Sequence, residues 1–449
     1  MKEYFHAVVI NQQRCIGCTQ CLRVCPTQAL RIRKGKALIL EHNCIDCGEC
    51  MRVCPTKAIY AKVDQLESAK EYKYKLLVYS SVMLGQFKVY KEYKKVIGFF
   101  RALGFDRVIG VDVGSLVLAD LIREYLQVER SGKRPLISTS CPAVIRLIQV
   151  RFPSLVSYIF PFRSMMEIAG SYLKQQFIKD TNADPKDVGL FFASPCPAKV
   201  VAIYQPEGES EMIFNRVFSL GDVYNEIRLL MEKNTADIEE CDPLTTKNAL
   251  RWSALGDPER SFPDFMTLRI DGINNVIKFL ERMENGVIKD VDFVDLYSCD
   301  KACVGGVFTK EDSFFSAYKI RQIADMLPDT HDSIVYDSCG ENNICEIPLP
   351  IEPRPLQPID SDIKKALQKM KRIQEINGSL PQLNCGMCGC PTCYALAEDI
   401  VLTEQLSVYD CPVVLRKHLR SVANDMFKMV GHVNPIEDDE TADPPRQGN

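Results

Sequence analysis

The sequence predicts a central α/β domain between two small cysteine-rich modules, and three observations carry that expectation. Twenty cysteines in a chain of 449 residues are largely gathered into short C-x2-C runs near its two ends. From residue 73 to about residue 318, short β-rich runs alternate with amphipathic stretches. A proline-dense segment, "CEIPLPIEPRPLQPID" (residues 345–360), then intervenes before the second cysteine module. It can continue neither a helix nor a central strand and so reads as a linker.

Size and composition bound the answer. At ~150 residues per domain the chain holds about three domains, and 46% apolar residues are enough for a large core. A net charge of −4 gives no reason to expect nucleic acid or an anionic membrane as partner. Apolar runs are cut by Arg101, Asp106, Arg107 and Asp120 before the ~18 residues that a membrane span needs. The opening "MKEYFHAVVINQQRC" has neither an apolar core nor a cleavage site, so no export signal is expected. Cysteine-dense secreted folds are short, whereas tight C-x2-C runs in a long chain without a signal point to metal. A reducing, anaerobic cytoplasm is the expected compartment.

Residues 1–65 contain a repeat, "CIGCTQCLRVCPTQAL" and "CIDCGECMRVCPTKAI", offset by 29 positions from Cys15 to Cys44. Each copy is a C-x2-C-x2-C-x3-C-P run, the signature of bacterial two-cluster ferredoxins, in which the fourth cysteine of each run serves the other cluster. The expected ligand sets are therefore Cys15, Cys18, Cys21 and Cys54 for one 4Fe-4S cluster, and Cys44, Cys47, Cys50 and Cys25 for the other. Two such runs ending in Cys-Pro are unlike a zinc finger.

Residues 66–345 supply the α/β pattern. Runs such as "KLLVYSSV", "RVIGVDV", "RPLISTS" and "DVGLFFAS" alternate with "SLVLADLIREYLQ" and "INNVIKFLERMENG", which favours parallel strands packed by helices. Four further cysteines lie here in "TSCPAV", "SPCPAKVV" and "YSCDKACVGG". Beyond the linker, assigned to residues 346–360, residues 361–433 open with "SDIKKALQKMKRIQEING", a predicted helix with Ser361 as N-cap and Gly378 as stop. The module that follows, "CGMCGCPTCYALAEDIV", offers Cys385, Cys388 and Cys393, with Cys411 after a helical stretch. It is similar to the small 4Fe-4S domain of corrinoid iron-sulfur proteins and some redox sensors, in which the position of Cys390 is not a ligand. Four thiolates would also suit a zinc knuckle. The acidic tail, residues 434–449, is expected to be disordered.

Taken in order and downstream of a two-cluster repeat, the three central cysteine contexts resemble the binding motifs of the iron-only (FeFe) hydrogenases. The family's forms are T-S-C-C-P, M-P-C-x-x-K and E-x-M-x-C-x-G-G-C-x-x-G-G. "LGFDRVIGVDVGSLVLADL", "SMMEIAGSYLK" and "ERMENGVIKDVDFVD" add to the likeness, which covers about residues 1–310. The C-terminal module is similar to that of the family's sensory branch, known as group D. The resemblance implies a two-lobed α/β catalytic domain whose site lies where loops after strands converge. It implies that Cys141, Cys196, Cys299 and Cys303 hold the cubane of an H-cluster. Cys303 would also bridge to a two-iron subsite bearing CO, cyanide and azadithiolate. With the N- and C-terminal modules the chain would carry three accessory 4Fe-4S clusters, offering two possible electron routes. Lys199 matches the motif lysine, whose buried ammonium would face a cyanide, and Ser81 and Ser164 fall where the family lines the subsite. The implied activity is reversible H2 oxidation and proton reduction, with H2 and protons as substrates. A redox partner protein (a ferredoxin or a signalling partner) and maturation proteins for the two-iron subsite are implied too. A ferredoxin-linked producer or consumer of H2 and a non-hydrogenase electron-transfer or scaffold protein are the alternatives.

Departures from the pattern point to a slow, sensing role. Ser140 stands where producers carry a proton-relaying cysteine. A thiol ionises near pH ~8.5, but a serine hydroxyl only passes a proton along a hydrogen-bond chain. Ser194 and Tyr297 replace motif methionines, Met166 replaces a glutamine, and "CDKAC" places Asp300 and Lys301 in a loop the family keeps small. Asp120 and Glu124 are the nearest acidic pair upstream, on what reads as a solvated helix face. Glu239, Glu240 and Cys241 in "IEECDPL" form an alternative relay candidate, and Cys339 and Cys345 read as bystander thiols.

Overall fold

The computed structural model describes residues 4–128, 133–209, 211–233, 238–258, 261–330, 344–354, 359–403 and 405–430. The acidic tail, Cys339 and residues 355–358 of the linker lie outside them. The chain forms two compact units: 1–15, 24–29 and 39–356 in one, and 16–23, 30–38 and 357–449 in the other. The N-terminal repeat therefore contributes to both.

That repeat forms β1 (Val8–Ile10), β2 (Leu30–Arg33), β3 (Lys36–Ile39) and β4 (Ile59–Ala61). The α/β region adds β5 (Tyr74–Tyr79), β6 (Arg107–Gly110), β7 (Leu136–Ile137), β8 (Val188–Ser194), β9 (Arg216–Ser219), β10 (Thr267–Asp271) and β11 (Phe293–Tyr297). In the first unit β1 pairs antiparallel with β4, and two parallel sheets follow, ordered β6-β5-β8-β9 and β10-β11-β7.

The apolar pattern accounts for both sheets. Every residue of β8, "VGLFFAS", is buried, as expected of a central parallel strand covered on both faces. Its period of two sends Leu190 and Phe192, with Leu76 and Val78 of β5, to one core. Phe191 and Ala193, with Leu77 and Tyr79, go to the opposite core. Helices Asp112–Val128 and Met165–Thr181 close the first face, and Tyr93–Ala102 and Leu220–Glu232 the second. Gly114 lets the first of these cross the next closely: a Cβ there would lie 1.9 Å from the Met165 carbonyl oxygen. A third core packs Val294 and Leu296 of β11 against helices Pro142–Arg151 and Ile273–Glu284. The consequence for function is that the carboxyl ends of β5, β7, β8 and β11 release the loops holding Ser81, Cys141, Cys196 and Cys299.

The second unit combines the hairpin β2–β3 with helices Ile363–Ser379, Cys393–Thr403 and Pro412–Val430. Its core joins Ile373, Ile376 and Leu380 to Cys390, Cys393, Leu396 and Cys411. The N-cap of the first helix is Asp362, not Ser361: its carboxylate accepts from the backbone N–H of Lys364 (2.7 Å) and Lys365 (3.3 Å). Gly378 does not stop it, because Gly378 keeps a negative φ and the helix runs on to Ser379. No helix among the described residues is long and apolar enough to cross a membrane.

Candidate functional site

Three loops bring four thiols together. Cys141 and Cys196 are each the N-cap of a helix whose first residue is proline, Pro142 and Pro197. Proline has no N–H to satisfy there and its φ suits the helical start, so each ligand loop ends at its cysteine. The third loop carries Cys299 and Cys303 after β11. It is seated by Gly306, where a Cβ would lie 2.5 Å from the Pro195 carbonyl oxygen, and by Gly305, 2.2 Å from that of Asp300. Burial pushes the Cys299 thiol well above its ordinary range, and the fields of Cys196, Cys141 and Cys303 push it the same way. Burial likewise raises Cys303, up to about 12, with Lys199 opposing and Cys196 and Cys141 adding. Cys196 is raised by burial and drawn back by Lys199. The four thiols thus lie within electrostatic reach of one another, and Ser298 Oγ sits 3.7 Å from Cys141 Sγ and 3.9 Å from Cys299 Sγ.

A ligating thiol must lose its proton. Four thiolates brought this close, one buried and three half-buried, repel one another and call for a compensating cation. The donor set therefore fits a cationic iron-sulfur core. The two helix N-termini and the buried Lys199 add positive potential on the same side. Lys199 Nζ donates to the Ser140 carbonyl oxygen at 3.4 Å. Beside it, the Ser138 hydroxyl donates to Ser140 Oγ at 2.7 Å. Behind the serines lies Asp295, fully buried in the middle of β11. Its Oδ2 accepts from Trp252 Nε1 (2.7 Å) and from the Tyr297 hydroxyl (2.6 Å). Oδ1 has no well-formed hydrogen bond among the described residues. Burial holds the Asp295 carboxyl above the ordinary carboxylate range, while Tyr297, Trp252, Ser138 and Ser140 favour its charged form.

Parts of the chain are similar to known iron-sulfur proteins. The family described as iron only hydrogenase large subunit, C-terminal domain, matches residues 79–255, and the 4Fe-4S dicluster domain matches residues 7–64. The chain is FeFe-hydrogenase-like. A further Fe-S cluster family matches residues 380–413. Iron hydrogenase 1 of Clostridium pasteurianum is 20% identical over 258 residues, covering 47% of this chain and 44% of its own. The cytosolic Fe-S cluster assembly factor NAR1 of Yarrowia lipolytica is 31% identical over 94 residues, covering 21% of this chain and 19% of its own. The chain thus spans less than half the length of these curated relatives. Among solved structures, the apo form of a substituted HydA1 [FeFe]-hydrogenase from Chlamydomonas reinhardtii is 15% identical with a TM-score of 0.48. That match covers 65% of this chain and 97% of HydA1.

Several residues singled out in the hydrogenase-like sequence are engaged in holding the scaffold. The Ser81 hydroxyl donates to Asp112 Oδ1 (2.5 Å) and accepts from Ser253 (2.9 Å). Ser164 caps helix Met165–Thr181 in a reciprocal box with Glu167. Met166 lies in the apolar core, and Ser194 turns the second ligand loop by donating to the Cys196 carbonyl oxygen at 2.8 Å. Tyr297 is the exception, bonded to Asp295 within the field of Cys303 and Cys141. Lys301 and Ala302 both take left-handed φ, 61° and 60°, where the hydrogenase pattern has two glycines. The loop thus keeps a glycine-like path with ordinary side chains, and Lys301 Nζ lies 3.6 Å over the Phe314 ring. Glu239 is exposed and paired with Arg101, and Asp120 pairs with Arg123 on its own helix. Sequence reasoning passed over Asp295, although a carboxylate inside the apolar strand "FVDLY" was a legible signal.

The accessory cysteines are distributed over both units. In the first, Cys47 is raised by burial and by the fields of Cys50, Cys25 and Cys44, so this set also converges. Its loop lies against the four-thiol site: a Cβ on Gly48 would meet Val307 Cγ2 at 2.8 Å and Pro197 Cγ at 3.2 Å. Arg52 donates to the Gly305 carbonyl oxygen at 2.6 Å. The fourth cysteine of each run has matching surroundings: Cys25 Sγ accepts from Ala29 N and Cys54 Sγ from Ala58 N, both at 3.2 Å. In the second unit Cys18 is exposed and Cys21 buried, while Cys393 and Cys411 lie in the core. A hydrogen bond from Cys390 draws Cys388 down to about 6 and pushes Cys390 up.

Proposed function

We propose that this chain performs reversible H2 oxidation and proton reduction at an H-cluster held by Cys141, Cys196, Cys299 and Cys303, slowly and in a hydrogen- or redox-sensing role. The observation that carries the reading is the convergence of four thiols, one buried and three half-buried, from three loops with the Lys199 ammonium among them. When bound, the group supplies the redox chemistry of H2 at its two-iron subsite. The chain supplies the rest. Lys199 places a desolvated positive charge where an anionic ligand would be fixed. Ser140 and Ser138 form a hydroxyl pair leading toward Asp295, which burial equips to hold a proton at higher pH than an exposed aspartate. Hydroxyls relay but do not store protons, so turnover is slow. Accessory clusters on Cys44, Cys47, Cys50 and Cys25, on Cys15, Cys18, Cys21 and Cys54, and on Cys385, Cys388, Cys393 and Cys411 would carry electrons to a partner protein. The proposal includes a cytoplasmic setting and separate maturation proteins.

Infrared spectroscopy of the chain loaded with a two-iron subsite tests this reading, because only a bound subsite shows CO and cyanide bands. Bands that vanish in Cys303→Ala are expected. Ser140→Cys should raise H2 evolution at least several-fold and Asp295→Asn should lower it, with the bands retained in both. The likeness to the NAR1 assembly factor favours a second reading, an iron-sulfur scaffold. A chain that binds cubanes but never shows those bands would establish it instead.

A further inference from the structure

The hairpin β2–β3 and the C-terminal cysteine module are joined by an unusually complete set of polar contacts within the second unit. Arg31 grips Asp399 with two bonds, Nε to Oδ2 at 2.7 Å and Nη2 to Oδ1 at 3.2 Å, the bidentate geometry that makes such pairs strong. Arg33 Nη2 also reaches Asp399 Oδ2, and it lies 3.2 Å from Cys390 Sγ. Gly389 completes the seat. Its carbonyl oxygen accepts from Ile32 N at 2.8 Å and from Arg33 Nη1 at 3.1 Å. At φ +77° a Cβ on Gly389 would come within 2.2 Å of the Ile32 carbonyl oxygen. The Arg31 side chain is 5% exposed and that of Asp399 13%, so the clamp is shielded from water.

On its other side the same hairpin carries the first ligand loop. A Cβ on Gly17 would lie 2.5 Å from the Gly35 carbonyl oxygen, so loop and hairpin turn are in backbone contact. The two cysteine loops also approach each other. Leu22, next to Cys21, has its Cδ1 3.8 Å from where a Cβ of Gly386, next to Cys385, would stand.

We propose that Asp399, with Arg31 and Arg33, seats the C-terminal cluster beside the cluster served by Cys18 and Cys21, making it the outer station of one electron path. It is then not a second, independent exit. Each transfer moves one electron, the donor cubane being oxidised by one and the acceptor reduced by one, with no proton or bond exchanged. Tunnelling falls exponentially with distance, so seating the module is itself the control of the rate. Arg33 has a further effect: a guanidinium beside the cysteine loop favours the reduced, more negative cluster. The inference rests on the accessory-cluster assignments above but not on the H-cluster.

The test uses the full chain reconstituted with iron and sulfide only, without the two-iron subsite. Its outcome is therefore independent of the infrared experiment. In the dithionite-reduced protein, electron paramagnetic resonance should show spectra broadened by coupling between neighbouring reduced clusters. The double variant Cys393→Ser, Cys411→Ser removes one cluster and should sharpen what remains. Asp399→Ala should weaken the coupling with the iron content retained, and if it loses iron, Asp399→Asn is read by the same criterion. Arg33→Met should shift the midpoint potential of the C-terminal cluster downward. Reduced wild-type protein whose spectrum is a simple sum of isolated clusters would overturn the proposal, as would full coupling in the Asp399 variant.

Discussion

The two ligand loops of the N-terminal repeat, "CIGCTQC" and "CIDCGEC", share their spacing but not their surroundings. Both take left-handed φ at the same two places: Gly17 (67°) and Thr19 (66°) in the first loop, Asp46 (52°) and Gly48 (83°) in the second. The glycine has moved. In the first loop it lies where the Gly35 backbone approaches, and in the second where Val307 and Pro197 approach. The isoleucines diverge as well, Ile16 being 65% exposed and Ile45 only 2%. Cluster ligation dictates the cysteines and the backbone path. What packs against each loop dictates everything else, so the repeat is symmetric in chemistry and asymmetric in what it stabilises.

The sharpest way to break the comparison is at the first of these two places. Asp46 is buried, and its Oδ1 accepts from the backbone N–H of Ala7 (3.1 Å) and Val8 (3.0 Å). His6 Nδ1 lies 2.7 Å from its Oδ2. Its charge also favours ionised Arg146, a fully buried guanidinium that burial alone would push down. Asp46→Ala takes the acceptor from the Ala7 and Val8 N–H groups and from His6 and removes one of the charges that stabilise Arg146, and the destabilisation should be about 3 kcal/mol or more. Gly17→Ala, at the equivalent place, strips no partner and costs only what the Gly35 contact and the positive φ impose. Anaerobic thermal unfolding followed by loss of cluster absorbance ranks the two, and a larger loss for Gly17→Ala would contradict the argument.

Next comes the buried isoleucine. Ile45 packs with Ile137, Val144 and Leu296, and truncation to alanine should cost ~2–4 kcal/mol. Ile16→Ala should stay within about 0.5 kcal/mol. Equal costs would show that exposure of the first loop is not what separates the two halves.

These contrasts show which features a sequence can reveal. Cysteine spacing is a local, covalent pattern, so the cysteine loops and their order were legible, as were the parallel strands, whose apolar runs answer to burial alone. The C-P junctions that start helices after Cys141 and Cys196 were equally local. The occupations of Ser81 and Ser164 were not legible, because a serine beside a site and a serine capping a helix look alike until Asp112 or Glu167 is placed. Ser361 and Asp362 are adjacent and both good caps, and only the backbone decides between them. The division of the repeat between two units depends on contacts with residues more than 300 positions away, such as Asp399 with Arg31, beyond any local pattern.

The smallest expected effect is the most diagnostic. Thr19 is β-branched and held at φ 66°, a conformation that costs an ordinary residue roughly 1–2 kcal/mol. Thr19→Gly relieves that strain but adds about 0.5–1 kcal/mol of chain entropy, so a net gain between about zero and 1.5 kcal/mol is expected. The reverse change, Gly48→Thr, must fit a Cβ into the 2.8 Å contact with Val307 as well as the positive φ, and it should destabilise. Thermal midpoints that move in opposite directions would show that the repeat keeps one backbone and lets neighbours choose the residue. Midpoints that fall together would mean that Thr19 has a packing role of its own in the second unit.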